Sequence, residues 1–468
     1  MRSGEDMSVA NDPAQAHGVS FREAVKVWTR VAALSFGGPA GQIAVMHRIL
    51  VEEKRWVGEN RFLHALNYCM LLPGPEAMQL ATYIGWLLHG VRGGLVAGCL
   101  FVLPGFIAIL ALSILYASFQ DLSWVQAVFF GIKAAVLAIV IEALLRIGKR
   151  ALKTWPMYAI AAAAFVAIFA FKVPFPLIIA AAALVGFLGG RFDPARFLVI
   201  KGHDVSDEDG AETTDALIHA GSPQNARPSW GGLIRTALTW LGLWAAPILA
   251  LIAIVGPDHV FTELAIFFSK LAVVTFGGAY AVLAYMAQEA VQTHGWLAPG
   301  EMLDGLGMAE TTPGPLIQVV QFVGYMGGFR EAGGLSPLLS GIVASIIVTW
   351  VTFVPCFLWI FLGAPFIEKL RGAKLLTAAL SAVTAAVVGV ILNLAIWFAL
   401  HVAFAQLFRY QGYGTNLLLP DLASIDIASV LIAAAALIAM LRFKVGMLIV
   451  LAASALVGAA YYLAVLPA

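Results

Sequence analysis

The chain has 468 residues, of which 61% are hydrophobic and 12% charged, with a mean hydropathy of +0.89 and a formal net charge of +1. A soluble domain carries roughly 25% charged residues, so this composition excludes an ordinary soluble protein and predicts a polytopic helical membrane protein. Cys69, Cys99 and Cys356 lie far apart in apolar sequence, which argues against disulfide, zinc and iron–sulfur sites.

The predicted elements follow a polar tail, residues 1–20. The tail lacks an apolar core and a small-residue cleavage site, so we expect no signal peptide here. The polar, partly acidic segment 191–232 predicts a cytosolic linker. The remaining chain consists of apolar blocks of membrane-crossing length, at 21–46, 62–90, 92–117, 123–146, 155–171, 174–190, 233–256, 261–288, 302–328, 334–362, 374–400, 426–441 and 445–465.

Two motifs occur twice, 240 residues apart. Phe36-Gly37-Gly38 recurs as Phe276-Gly277-Gly278, and Pro73-Gly74-Pro75 recurs as Pro313-Gly314-Pro315. The same offset relates Trp56 to Trp296, Glu23 to Glu263, Arg30 to Lys270, and Gly93-Gly94 to Gly333-Gly334, after which the register slips by 11 residues, so that Pro104 matches Pro355. This pattern predicts an internal duplication.

The domain organisation follows from the duplication. We predict an N-terminal transport repeat at 21–190, an extra connecting span at 233–256 and a C-terminal repeat at 257–468. One extra crossing between the repeats places them in opposite orientations, as in secondary transporters.

The fold class is therefore an all-α polytopic membrane protein, an inverted-topology tandem repeat with broken or re-entrant helices and about 13 membrane segments. Two versions stay open: thirteen crossings, or nine crossings with four re-entrant hairpins. Excess Lys and Arg on the cytoplasmic side predicts a cytoplasmic N-terminus. The basic residues Arg48, Lys54, Arg55 and Arg61 fit that rule only if the broken blocks are re-entrant.

The duplicated motifs interrupt helices in apolar sequence. A helix that begins inside the membrane presents unpaired N–H groups and a partial positive charge, which suit an anion. Close helix packing is the alternative role for such small residues. The substrate-binding candidates at the breaks are Phe36, Gly37, Gly38, Pro39, Gln42, Pro73, Gly74, Pro75, Gln79, Gly277, Gly278, Pro313, Gly314, Pro315 and Gln318.

Charged residues within the apolar blocks are the second group of candidates. Arg30, Lys270 and Lys133 are predicted to supply countercharge to an anion. Arg30 and Lys270 could instead extend to the membrane surface or pair with Glu23 and Glu263. Glu76 and Glu310 lie beside the Pro-Gly-Pro motifs and are candidates for proton coupling, with helix capping as the alternative. No metal site, cofactor or catalytic constellation is predicted.

Three stretches resemble the chromate ion transporter family in its long, two-domain form: "LSFGGPAGQIAVMHR", "LLPGPEAMQLATYIGW" and "VTFGGAYAVLAYMAQEAV". The resemblance implies a bacterial inner-membrane protein that exports chromate, driven by the electrochemical gradient. The family motifs correspond to Phe36–Pro39 and Pro73–Pro75, whereas Ala279 replaces the proline in the second repeat, which breaks the symmetry.

Several alternatives to chromate export remain open from the sequence. The substrate could be sulfate or another oxyanion, and the protein could be an anion channel of similar build or a lipid flippase. The expected partners are an oxyanion and the lipid bilayer, with no nucleic acid, and a homodimer is kept open.

Overall fold

The computed structural model describes residues 18–36, 38–199, 229–276, 279–366, 374–412 and 415–465. The first half contains α1 Phe21–Leu34, α2 Gly38–His47, α3 Glu59–Cys69, α4 Glu76–Phe119, α5 Ser123–Ala151, α6 Trp155–Phe171 and α7 Phe175–Phe192. The second half contains α8 Trp230–Ile254, α9 Val260–Val274, α10 Ala279–Gln288, α11 Glu301–Thr311, α12 Val319–Arg330, α13 Pro337–Gly363, α14 Lys374–Ala403, β1 Leu407–Gly412, β2 Thr415–Pro420, α15 Ile427–Leu441 and α16 Met447–Val465.

The first break has the same construction in both halves. After α1, the Ser35 hydroxyl donates to the Val31 carbonyl oxygen at 2.6 Å, and after α9 the Thr275 hydroxyl donates to the Leu271 carbonyl oxygen at 2.6 Å. These hydroxyls satisfy carbonyl groups that a terminating helix would otherwise leave unpaired inside the membrane. The next helix then begins within a few residues.

The segment around each first break is a re-entrant hairpin. Glu23, near the start of α1, pairs with Lys54, just after the return segment, at 3.1 Å. The equivalent residues of the second half, Glu263 and His294, lie 3.6 Å apart. A complete crossing would separate each pair by about 30 Å, so both segments must return to the side they entered.

The segment around each Pro-Gly-Pro is also a hairpin. In the second half, Arg330 at the end of α12 pairs with Glu301 at the start of α11 at 2.6 Å. In the first half, His89 Nε2 lies 2.9 Å from the carbonyl oxygen of Val19, which precedes α1. The helix α4 kinks at His89 and Gly90, where both residues leave helical geometry, and then continues through the membrane.

The hairpins of the two halves enter from opposite sides. Near the far end of α4, the Tyr116 hydroxyl donates to Asp304 Oδ2 at 2.8 Å, close to the start of α11. The kink of α4 at His89, by contrast, lies beside the base of the first hairpin. Since about 25 helical residues, or about 38 Å, separate these points on α4, the two halves have inverted orientations.

Nine apolar helices accompany the four hairpins within the described ranges. Seven are long and apolar enough to cross a membrane, and the two shorter ones are Trp155–Phe171 and Ile427–Leu441. The helices α6 and α7 pack on α14 of the second half, and α15 and α16 pack on α5 of the first half. The fold class is confirmed, and the geometry selects the version with nine crossings and four re-entrant hairpins. The predicted domain limits stay predictions.

Two local features differ from the sequence expectation. Gly93 and Gly94 lie within α4, whereas Gly333 and Gly334 lie in the loop after α12 with φ angles of +57° and +89°, so these pairs are not structurally equivalent. The 11-residue shift between the aligned repeats arises from this loop. In the second half the loop separates two helices, whereas in the first half the equivalent helix α4 kinks and continues. In addition, β1 and β2 form an antiparallel hairpin in a segment for which no structure was predicted.

Candidate functional site

The four hairpin tips meet through hydrogen bonds that link the two repeats. The Gly74 amide donates to the Thr275 carbonyl oxygen at 2.8 Å, and the Gly314 amide donates to the Ser35 carbonyl oxygen at 2.9 Å. Gly314 and Thr275 lie 240 residues after Gly74 and Ser35, so the two bonds are equivalent by the duplication. Each Pro-Gly-Pro tip therefore closes on the first break of the opposite repeat.

The backbone conformation and the close packing at both hairpin tips require glycine. Gly74 has a φ of +122° and Gly314 a φ of +105°, which other residues rarely adopt. A Cβ at Gly314 would lie 3.1 Å from Gly105 Cα, and one at Gly74 would lie 3.0 Å from Cys356 Sγ. Gly105 and Cys356 each follow the helix-interior proline that the sequence had matched, Pro104 and Pro355.

Four helical segments begin at these tips: α2 at Gly38, α4 at Glu76, α10 at Ala279, and a 3₁₀ turn leading into α12 at Leu316. Their first N–H groups have no partner within their own helices, so positive partial charge concentrates where the tips meet. The candidates Phe36, Gly38, Pro39, Pro73–Pro75 and Pro313–Pro315 lie at the tips. Gly37, Gly277 and Gly278 lie outside the described residues.

The glutamine candidates contact protein atoms at the tips. Gln42 donates through Nε2 to the Gly314 carbonyl oxygen, which adds a further link between the repeats. Gln79 donates to the Pro73 carbonyl oxygen at 2.7 Å, and Gln318 donates to Gln321 at 2.8 Å. In this conformation these amides therefore hold the hairpin tips together.

The three cationic candidates lie away from the tips. Arg30 pairs with Glu53 at 2.6 Å, with 49% of its side chain exposed, and does not pair with Glu23. Lys270 is exposed and makes no ion pair within the part of the chain that the structure describes. The alternative pairing with Glu23 and Glu263 is therefore wrong, because those carboxylates pair with Lys54 and His294.

Lys133 has a partner that the sequence interpretation missed. Its ammonium lies 3.3 Å from Oδ2 of Asp304, a carboxylate whose side chain is only 2% exposed. Asp304 belongs to the predicted apolar block 302–328, so its position as an intramembrane charge was the available signal. The distance along α11 places Asp304 roughly 10 Å from the hairpin tip.

The two acidic candidates have different surroundings. Glu76 is the first residue of α4, where the helix dipole favours a negative charge. Glu310 is buried near the end of α11, and its Oε1 accepts from the Tyr280 hydroxyl at 2.6 Å. The other Glu310 oxygen is buried without a hydrogen-bond partner. Within the described ranges, no group of three or more His, Cys, Asp or Glu could hold a metal ion.

Two inverted repeats with broken helices whose N-termini meet are an architecture that many membrane transporters share. The chain matches the chromate transporter family over residues 22–187 and 262–459, and it belongs to that family. No solved structure matches it with statistical significance.

Three curated relatives are similar over most of their length. The chain is 31% identical to the chromate transport protein of Pseudomonas aeruginosa, covering 80% of each chain. It is 29% identical to the chromate transport protein of Cupriavidus metallidurans, covering 82% of this chain and 84% of the relative. It is 28% identical to the probable chromate transport protein of Synechococcus elongatus, covering 80% and 83%.

Proposed function

We propose that this protein is a secondary active transporter that exports chromate from the cytoplasm, coupled to the proton gradient, and so confers chromate resistance. The observation that carries the proposal is the meeting of four hairpin tips at the centre of an inverted repeat, through the reciprocal bonds of Gly74 and Gly314. Membership of the chromate transporter family supports the substrate.

The tips suit a tetrahedral dianion on electrostatic grounds. Four helical segments direct their N-terminal N–H groups toward one region, and such groups bind phosphate and sulfate in many proteins. Chromate has the same charge as sulfate and a similar tetrahedral shape. We assign the central anion site to the tips themselves. Arg30, Lys270 and Lys133 act on an anion at that site from a distance, through their charge.

Alternating access then requires the contacts between repeats to open and close. The bonds from Gly74 to Thr275 and from Gly314 to Ser35 link one repeat to the other, so rocking of the repeats changes them first. Glu310 is our preferred proton carrier, because it is buried beside the tip and one of its oxygens lacks a partner. Glu76 is the second candidate.

The charge distribution supports a cytoplasmic N-terminus in a bacterial inner membrane. Because the first hairpin returns to its entry side, Lys54 and Arg55 lie on the same side as the basic end of α5 at Lys149 and Arg150. The equivalent return segment of the second half, residues 289–301, contains no Lys or Arg. This asymmetry follows the positive-inside rule.

The test uses everted membrane vesicles, in which export appears as uptake. We expect uptake of labelled chromate against its gradient when the vesicles are energised, and loss of uptake when a protonophore collapses the gradient. Strictly downhill flux would identify an anion channel. Stronger competition by sulfate than by unlabelled chromate would make sulfate the substrate.

A further inference from the structure

A cavity of about 350 Å³, lined by both polar and apolar side chains, lies at the base of the C-terminal hairpins. It is bounded by the end of α4, the start of α5, the start of α11 and the end of α16, and its polar lining consists of Tyr116, Gln120, Gln126, Lys133, Asp304 and Tyr462, together with the exposed Asp121. Tyr462 donates to Gln126 at 2.9 Å. The volume exceeds that of a tetrahedral oxyanion, so an anion with bound water fits.

Among the residues that the structure describes, one cation lines this cavity, and a buried carboxylate holds it. Lys133 lies 3.3 Å from Asp304 Oδ2, the same oxygen that accepts from the Tyr116 hydroxyl at 2.8 Å. Asp304 Oδ1 is buried and has no hydrogen-bond partner. An ionised carboxylate with one unpaired oxygen is costly to bury, and Lys133 offsets much of that cost.

The other charged groups near Asp304 leave Lys133 as its main partner. Glu301, one turn earlier on α11, pairs with Arg330 of α12 at 2.6 Å, and the two largely neutralise each other. Tyr116 faces Asp304 from α4, Lys133 faces it from α5, and Tyr462 of α16 lines the same cavity. Asp121 is exposed and makes no ion pair among the described residues.

The pair joins the two repeats, and the duplication gives it no equivalent pair elsewhere in the sequence. The residue 240 positions before Asp304 is His64, and the residue 251 positions after Lys133 is Thr384. A carboxylate–lysine pair therefore lies in the cavity on one side of the molecule and has no counterpart at the positions that the duplication makes equivalent. Such asymmetry suits a step that happens on one side of the membrane only.

We propose that Asp304 controls whether Lys133 binds an oxyanion in this cavity: protonated Asp304 releases the lysine to receive the anion that arrives from the hairpin tips, and Asp304 that has passed its proton inward is ionised, holds the lysine again and lets the anion leave. The inference rests on the proposed function, because it needs an oxyanion as the transported species. The proton comes from the solution that fills the cavity and binds to Oδ1, the oxygen without a partner. The freed ammonium then directs its three N–H donors to the anion.

The test measures equilibrium binding of labelled chromate to the purified full-length protein in detergent, from mildly alkaline to mildly acid pH. For the wild type we expect affinity to rise as pH falls. Asp304→Asn should bind chromate at alkaline pH about tenfold more tightly than the wild type, with little further change on acidification. Lys133→Met should bind weakly across the whole range.

Asp121→Asn is the matched control, since it removes the same charge from the same cavity without touching Lys133, and it should behave like the wild type. Chromate itself gains a proton near neutral pH, but this affects every variant equally, so ratios at one pH are compared. If Asp304→Asn does not fold, Tyr116→Phe serves instead: loss of its hydrogen bond to the carboxylate should move the pH midpoint of binding upward.

The outcomes separate the two proposals. If the wild type binds chromate and Asp304→Asn, or the replacement variant, follows the wild-type pH profile, the role of Asp304 is refuted and the proposed function stands. If the folded wild type neither binds nor transports chromate at any pH, the proposed function fails and the inference fails with it.

Discussion

Substitution of Gly314 by alanine tests whether the contact between the two repeats matters. Gly314 has a φ of +105°, and a Cβ there would lie 3.1 Å from Gly105 Cα and 3.3 Å from Gly105 N. Left-handed backbone costs alanine about 1–2 kcal/mol, and crowding against backbone that cannot move away costs about 1–3 kcal/mol. We therefore expect a total destabilisation of about 2–5 kcal/mol, concentrated where the Gly314 amide meets the Ser35 carbonyl.

Gly256→Ala is the matched control for backbone strain. Gly256 has a similar φ of +93°, but a Cβ there would meet nothing within 4 Å. The free energy of unfolding of this control should therefore fall only by the cost of left-handed backbone for alanine, about 1–2 kcal/mol. Thermal unfolding of the two variants in detergent, and chromate uptake by everted vesicles, would measure the difference.

The expected result is that Gly314→Ala reaches the membrane, unfolds at a lower temperature than Gly256→Ala and transports chromate at least about tenfold more slowly. The transport loss follows from displacing one of the two bonds that link the repeats. Equal unfolding temperatures and equal uptake rates for the two variants would refute the argument that the tips are tightly packed and functional.

Two further predictions concern side chains at the tips. Gln42→Leu leaves the buried Gly314 carbonyl without its donor, so it should destabilise the protein by about 1–3 kcal/mol and slow transport. Gln79→Leu removes a hydrogen bond within one hairpin and should slow transport less. Glu310→Gln keeps an acceptor for Tyr280 but cannot carry a proton, so chromate uptake should lose its dependence on the pH gradient. An unchanged pH dependence would exclude Glu310 as the proton carrier.

The sequence predicted the positions of the membrane segments closely. The blocks 123–146, 155–171 and 374–400 correspond to α5 Ser123–Ala151, α6 Trp155–Phe171 and α14 Lys374–Ala403. These segments are uniformly apolar and are bounded by polar residues, so hydropathy alone defines them. The constant offset between the Phe-Gly-Gly and Pro-Gly-Pro motifs also indicated that the breaks are equivalent features.

The partners of the charged residues could not be predicted in the same way. Arg30 had a carboxylate close in sequence, Glu23, yet it pairs with Glu53 because the hairpin brings the return segment back beside α1. Lys133 pairs with Asp304 of the opposite repeat, and no local pattern connects them. Ion pairs depend on which helices become neighbours, and that choice depends on packing across the whole molecule.

The alignment of Gly93-Gly94 with Gly333-Gly334 shows a limit of sequence matching. Identical dipeptides at a constant offset predict equivalent positions, but one lies within a helix and the other within a loop. Glycine serves close helix packing in the first case and left-handed backbone in the second. The same Gly-Gly dipeptide therefore meets a different structural requirement in each repeat.

In this structure four re-entrant hairpins enter from opposite sides, two from each, and meet at their tips. Single cysteines at Lys54 and His294, introduced into a variant whose exposed Cys99 is replaced by serine, test it with a membrane-impermeant maleimide. We expect His294→Cys to be labelled in intact cells and Lys54→Cys to be labelled only in everted vesicles. Labelling of both cysteines from the same side of the membrane would contradict it.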